Sequence, residues 1–379
     1  MKKRWSILIV IASALVLSCT LLVPLVSAEL PPNPVPPPPG YRMPAEWEPH
    51  KATWLSWGHE WEEEAIRGLQ VQMIDALQEG EEVHVIVDAA RQERAVWRMM
   101  KQAGVPPDNV FVHIIPADDI WIRDWAPTWI NKGSTQACID WLFDGWGGSS
   151  LHWDLSNVAD REIANLLGQT YYSYEEYVVE GSACFAVNGR GLCITTEALR
   201  APEIRSEEQV NAPRSEFEAA FKAYLGVKEF IWLEGYLAGD TYTYGHANTM
   251  VKFVNEDTVF IPWQPDPNGP AYDVCKNNYD ILVAAGLNVV KVPVMQNYLG
   301  PGGGVYPYGI GPILAGYINS YIANEVVLVP QFNDPNDATA LAIYEEYFPD
   351  RTVIGLDCIL LQRWGGAINC ITHQQPTVQ

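Results

Sequence analysis

A chain of 379 residues is long enough for one large domain or two smaller ones, and with 48% hydrophobic residues, 15 Trp and 18 Tyr it can bury an extensive core. The formal charge of −22, from 24 basic against 46 acidic residues, argues against nucleic acid as a partner and is compatible with a cationic one.

Residues 1–28 read as a signal peptide. Lys2, Lys3 and Arg4 precede an apolar run from Ile7 to Val26, and Val26-Ser27-Ala28 offers a small-residue cleavage site. The run approaches the length of a membrane anchor, but cleavage after Ala28 is the favoured reading, and Leu17 and Ser18 are poor residues before a lipidated Cys19. No later segment is apolar enough to span a membrane, so the expected mature protein is soluble, secreted and free of membrane contact. Losing three basic residues takes its formal charge from −22 to −25. Residues 29–40 form a linker whose seven prolines between Pro31 and Gly40 suit a polyproline-like tether outside the core.

From residue 41 the pattern alternates helix and strand. Glu62–Glu79 is amphipathic, with Ile66, Leu69, Met73, Ile74 and Leu77 on one face. Gly80 stops it before strand Val83–Val87. Helix Ala89–Gln102 ends at Gly104; strand Val110–Ile115 follows, then a loop from Asp118 to Pro127. A helix over Val158–Leu167 leads to strand Tyr177–Val179, Glu180-Gly181 and a hairpin at Asn188-Gly189. Helix Ser215–Leu225 leads to strand Glu229–Leu233, a Gly-rich loop, Tyr244-Gly245-His246-Ala247-Asn248 and a hairpin through Asn255-Glu256-Asp257. Helix Tyr272–Ala285 leads to strand Asn288–Pro293 and a Gly/Pro/Tyr loop from Asn297 to Pro312 that could admit or exclude a peptide. Tyr317-Ile318-Asn319-Ser320 and a strand pair precede helix Asp337–Tyr347, strand Thr352–Gly355 and the segment Gly365–Thr372, where a Gly-Gly pair permits a close backbone approach before Cys370 on a final strand.

Asp124, Glu180, His246, Asn319 and Cys370 fall in equivalent loops, at steps of 56, 66, 73 and 51 residues. Repeated units of that size predict an α/β fold closed into a five-bladed, pseudo-symmetric propeller whose loops meet near one axis. A non-repeating α/β sandwich is the alternative.

Six cysteines remain in an oxidising compartment. With a two-residue Asn188-Gly189 loop, Cys184 and Cys193 would face each other at a non-hydrogen-bonded pair and could form a disulfide; a longer loop would shift the register and remove it. No cysteine spacing resembles a zinc site, so no metal is expected.

A cysteine, a histidine and acids from separate units suit a nucleophile, a base and its orienting group. Each residue also has a plainer reading: Cys370 as a core thiol, Glu180 as a surface turn, Trp121 and Trp125 as core aromatics. His50, His59, His84, His113 and His152 carry no such pattern. His373, three residues along a strand from Cys370, would face away from it.

The ordered pieces Met43-Pro44-Ala45-Glu46-Trp47-Glu48-Pro49-His50 with Trp54, Trp121-Ile122-Arg123-Asp124-Trp125-Ala126-Pro127, Glu180-Gly181, Tyr244-Gly245-His246, Asn319, Tyr321-Ile322-Ala323-Asn324 and Gly365-Gly366 leading to Cys370-Ile371-Thr372-His373-Gln374-Gln375-Pro376 resemble the guanidine-modifying (pentein) superfamily. They are most similar to its agmatine deiminase and bacterial peptidyl-arginine deiminase branch. The resemblance runs over 41–376 and implies a single catalytic domain of pentein fold. It implies a cofactor-free hydrolase converting agmatine or peptidyl-arginine to a ureido product and ammonia. Asp124 and the Asn248 position would bind the two edges of the guanidinium, Trp121 would stack on its plane, and Asn319 would line the site. Cys370 would attack the central carbon, His246 would protonate the leaving ammonia and activate water, and Glu180 would hold its tautomer.

Two positions depart from the family. Asn248 stands where Gly-His-x-Asp is usual, and Glu180-Gly181-Ser182-Ala183 replaces a Glu-Gly-Gly-Asn-like run. Losing a charged guanidinium partner costs about 2–5 kcal/mol, so the alternative is a weakened or inactive relative that binds cationic guanidines or peptides. If the missing charge is the limitation, Asn248→Asp restores activity. A homo-oligomer is compatible with the chain.

Overall fold

The computed structural model describes residues 35–58, 64–296 and 316–378. The expected leader and the loop from Asn297 to Pro312 lie outside them.

The first sheet begins with β1 (His50–Ser56), β2 (Glu82–Val87) and β3 (Val110–Ile114), all parallel. Parallel neighbours need a crossover, supplied here by helices Glu64–Leu77 and Ala90–Ala103. The first buries Ile66, Leu69, Met73, Ile74 and Leu77, the stripe its period predicts. The second ends where Gly104 turns left-handed at φ 77° and its N–H reaches the carbonyl of Lys101.

Three-stranded sheets follow: β4 (Thr128–Lys132), β5 (Thr135–Trp141) and β6 (Thr170–Tyr174); then β7 (Phe185–Val187), β8 (Leu192–Thr196) and β9 (Glu229–Leu233). Next come β10 (Lys252–Phe253), β11 (Thr258–Trp263) and β12 (Asn288–Pro293); then β13 (Tyr321–Ile322), β14 (Val326–Gln331) and β15 (Thr352–Asp357). In each, an antiparallel hairpin is followed by a helix and a strand parallel to the hairpin's second member. The closing strand β16 (His373–Pro376) pairs antiparallel with β1, with His373 opposite Trp54 and Pro376 opposite His50. Five sheets therefore carry one pattern, and the first is assembled from both ends of the described chain. Central strands are covered on both faces: in β1, Leu55 joins one apolar cluster and Ala52 and Trp54 join another.

Several expectations fail in detail. The strand after the Ser156–Leu166 helix is β6, not 177–179, because Tyr177 and Val179 pack into the apolar cluster from a loop. Hairpin β4–β5 and helix Ile359–Arg363 were not expected. The proline segment is not wholly outside the core, since Pro37 is buried and Lys132 Nζ donates to the Pro39 carbonyl at 2.8 Å. Cys370 sits in a single tight turn, Asn369–Ile371, ahead of the final strand.

The proposed disulfide is also overturned. Asn188 uses its side-chain oxygen to accept the N–H groups of Arg190 and Leu192, which makes the loop longer than two residues. The register then puts Cys193 opposite Val187, and Cys184 and Cys193 are both free, buried thiols. Among the described residues no helix is long and apolar enough to cross a membrane.

Candidate active site

Three glycines let the loops that carry the polar residues touch. Gly181, at φ 44°, lies where a Cβ would sit 2.7 Å from the Arg123 carbonyl, so the Glu180 loop packs directly on the Asp124 turn. At Gly245, φ 87°, a Cβ would sit 2.7 Å from the carbonyl of Gly235, which seats the turn into His246. At Gly366 a Cβ would lie 2.5 Å from the Trp121 ring and 3.0 Å from Cys370 Sγ. This confirms the close approach expected of the Gly-Gly pair. Asp124 itself rides on the short helix Ile122–Trp125, which Asp119 Oδ1 pins by accepting from Trp121 N at 2.7 Å and Trp125 Nε1 at 2.8 Å.

The acid–base groups are buried together. His246 Nε2 lies 3.6 Å from Glu180 Oε2 and its Nδ1 lies 4.0 Å from Asp124 Oδ2, with neither ring nitrogen in a hydrogen bond. Burial pulls the imidazole towards neutrality, but the two carboxylates outweigh it and raise its pKa. Glu180 is fully buried, yet the Arg205 guanidinium, which clasps both its oxygens, and His246 hold it well below the usual carboxylate range. Asp124 goes the other way. Burial lifts it to about 7, against the pull of His246 and the 2.9 Å hydrogen bond from Trp146 Nε1, and its Oδ1 has no partner. Burial and the Asp124 charge raise Cys370 to about 11, while amide donors from Asn319 (3.2 Å) and Asn248 (3.6 Å) act in the opposite sense.

Asp124 and Cys370 open onto a cavity of about 570 Å³ walled by Trp121, Trp146, Tyr242 and Trp364. Its described lining also includes Asp118 and Asp119 and no lysine or arginine, a chemistry suited to a cation with an apolar stem. Trp121 is half-buried and reaches the pocket, as expected of a stacking residue. Asn248 and Asn319 come to the thiol, but neither is in the lining of this cavity. His373 is buried between Ser182 Oγ (3.1 Å) and the Pro127 carbonyl (3.0 Å), so packing rather than strand alternation removes it from the chemistry.

Sequence reading missed three residues. Arg205 carries no local motif; its role comes only from Glu180, 25 positions away. Trp146 was signalled by the run Asp144-Gly145-Trp146-Gly147-Gly148, where Trp146 adopts φ 56° and a Cβ on Gly147 would collide with Ile204, next to Arg205. Asn369 joins Glu46 (2.9 Å), Ser320 O (3.0 Å) and Asn248 (3.1 Å) immediately before the cysteine. Glu180, Cys184 and His246 offer ligand atoms within 4.8 Å of one another, but Arg205 already takes both Glu180 oxygens and supplies the cation there.

A sequence model of the Porphyromonas-type peptidyl-arginine deiminase family matches residues 42–376. The chain is 31% identical to an agmatine deiminase of Medicago truncatula over 377 aligned residues, covering 89% of this chain and 97% of that one. It is 31% identical to the agmatine deiminase of Ectopseudomonas mendocina over 366, covering 90% and 96%. The solved structure of the agmatine deiminase of Enterococcus faecalis superposes with a TM-score of 0.80 at 26% identity, covering 90% of this chain and 97% of that one. The mixed α/β fold is that of these enzymes.

Proposed function

The chain belongs to the Porphyromonas-type peptidyl-arginine deiminase family, and on that premise we propose that it hydrolyses a guanidine to a ureido product and ammonia through a Cys370-bound amidino intermediate. It is an agmatine-deiminase-like hydrolase of C–N bonds; the residue roles below are our reading. The observation that carries it is the shared wall of Asp124 and Cys370 in one acidic, aromatic cavity, with His246 set between Asp124 and Glu180.

A guanidinium entering the cavity meets the unpartnered Oδ1 of Asp124 and the ring of Trp121. Its charge offsets the Asp124 carboxylate that opposes ionisation of the thiol, so binding and nucleophile activation are coupled. The Cys370 thiolate adds to the central carbon. Collapse breaks one C–N bond as protonated His246 gives its proton to the departing ammonia, leaving an amidino group on sulfur. Neutral His246 then takes a proton from water as its oxygen attacks the same carbon, and the C–S bond breaks to release the ureido product and the thiolate. Glu180, held ionised by Arg205, keeps the imidazole in place through both halves.

The five like-patterned sheets support a five-bladed pseudo-symmetric propeller in one catalytic domain over 41–376, following a leader cleaved after Ala28 and a linker. Sequencing the amino terminus of protein recovered from the medium tests the secretion. Agmatine and an arginine-containing peptide are both candidate substrates. Assaying the purified protein with agmatine, arginine and an arginine peptide for ammonia and ureido product tests the activity. No product from any of them, with Cys370 still open to alkylation, overturns it. A second reading, a weakened relative that retains cationic ligands without turnover, is favoured by the amide at Asn248, which brings an uncharged group to the thiol.

A further inference from the structure

Three buried asparagines and the half-buried Glu46 set which atoms face Cys370 Sγ. Asn319 Oδ1 accepts the backbone N–H groups of Asn369 (3.0 Å) and Cys370 (3.4 Å), so its amide nitrogen must be the end that points to the sulfur, at 3.2 Å. Asn369 Nδ2 donates to Glu46 Oε2 (2.9 Å) and Ser320 O (3.0 Å), both of which only accept. Its Oδ1 is therefore turned to Asn248, whose Nδ2 donates to it at 3.1 Å and reaches Cys370 Sγ at 3.6 Å. Glu46 is in turn fixed by Lys252 Nζ at 2.7 Å and by Ile322 N at 3.1 Å. The orientation of both amides thus follows from acceptors that cannot reverse.

We propose that Asn248 and Asn319 form a two-amide cradle that favours the thiolate of Cys370 over the thiol, with Asn369 and Glu46 aiming Asn248 at the sulfur. This rests on Cys370 as the nucleophile. Two N–H donors directed at an anion from buried side chains stabilise charge at the moment it forms. The charged groups around the sulfur divide in two. Asp124 faces it from the Ile122–Trp125 turn and opposes ionisation, while Lys252, whose pKa burial lowers against the pull of Glu46 and Cys370, is paired with Glu46 beside Arg123. His246 neighbours Asp124 at 4.0 Å and Glu180 at 3.6 Å.

The cradle changes the meaning of Asn248. A carboxylate there would turn an oxygen on Asn369 Oδ1, and Asn369 cannot rotate away without facing its own oxygen to Glu46 and Ser320. It would also place a second negative charge beside the sulfur. The amide is thereby matched to its surroundings, and Asn248→Asp should impair the thiol rather than repair it.

The test is the pH dependence of Cys370 alkylation by iodoacetamide in the full chain, with Cys370→Ala as the blank for the other thiols. Asn248→Ala is the less disruptive variant, since Oδ1 of Asn248 has no partner to lose and only Asn369 Oδ1 loses a donor besides the sulfur; Asn319→Ala, which frees two backbone N–H groups, is the second. Each should raise the midpoint by about one pH unit, slowing alkylation about tenfold at a fixed pH below it, and Asn248→Asp should raise it further than Asn248→Ala. An unmoved or lower midpoint in Asn248→Ala, or an Asn248→Asp midpoint at or below that of the unaltered protein, overturns the cradle. Deiminase turnover measured in parallel separates the two ideas. Turnover with an unmoved midpoint sinks the cradle alone, and a moved midpoint without turnover sinks the activity alone.

Discussion

Asp124 is the residue whose charge the site has made hardest to keep. Burial raises it to about 7, so an empty pocket near neutrality holds it partly protonated, and only the ionised form pairs with a guanidinium. The Michaelis constant for a guanidine substrate should therefore climb about tenfold for each pH unit below 7, where a carboxylate of ordinary pKa would leave it flat down to about 4. A profile flat to pH 5 would refute this. Arg205 poses the opposite case. Replacing it by Met strands the Glu180 charge in a fully buried site, and breaking a buried pair in this way typically costs 3–5 kcal/mol. Thermal unfolding should show that loss, together with a displaced acid limb in the pH–rate profile as His246 loses its fixed neighbour. Cys370, His246 and Asp124, which the structure brings together, could be picked out of the sequence because the chemistry proposed for them belongs to the side-chain type itself. Arg205 and Asn369 act only through partners 25 and 121 positions away, which no local pattern announces, and the glycine run around Trp146 marks a special turn without naming Asp124, 22 positions away, as its partner.

Among the elements, helices and hairpins with a stop signal were readable: Gly104 and Gly226 end theirs in the left-handed conformation a side chain resists. What failed was register. One asparagine accepting two N–H groups lengthened a loop, and with it moved Cys193 away from Cys184. Tyr177-Val178-Val179 has strand composition, but its apolar side chains are consumed by packing instead. The outer strand β3 carries a further consequence. His113 Nε2 meets His84 Nδ1 at 2.8 Å, with Glu82 at 3.2 Å from the far nitrogen, Lys51 nearby and Trp54 stacked on both rings. Burial lowers both histidines, His113 to about 4 with His84 assisting. Both folded values lie below the unfolded value of about 6.5, so the unfolded chain takes up protons first and stability falls as the pH drops from about 6.5 towards 4. The melting temperature should fall across that window, and less so in His113→Phe. An equal fall in both proteins would show that the pair is not responsible.

At the scale of the whole molecule, the repeating helix–strand–loop rhythm was legible, while the pairing of the last strand with the first was not. Nothing local in His373–Pro376 says that it will lie beside His50–Ser56, because the pairing is satisfied only by a strand distant in the chain. Truncation after Thr372 should therefore abolish activity and lower the melting temperature even though Cys370 is retained. A truncated protein that still turned over substrate would show that the pairing of β16 with β1 is dispensable. The same pairing has a temporal side. Glu46 bonds a partner 323 residues later, and the nucleophile lies in the turn just before the closing strand. A chain emerging from the ribosome passes its acids, its histidine and its pocket walls into the cell well before its reactive thiol. If Cys370 is the nucleophile, as proposed, a nascent or interrupted copy lacks the means of reaction until the two ends of the described chain pair.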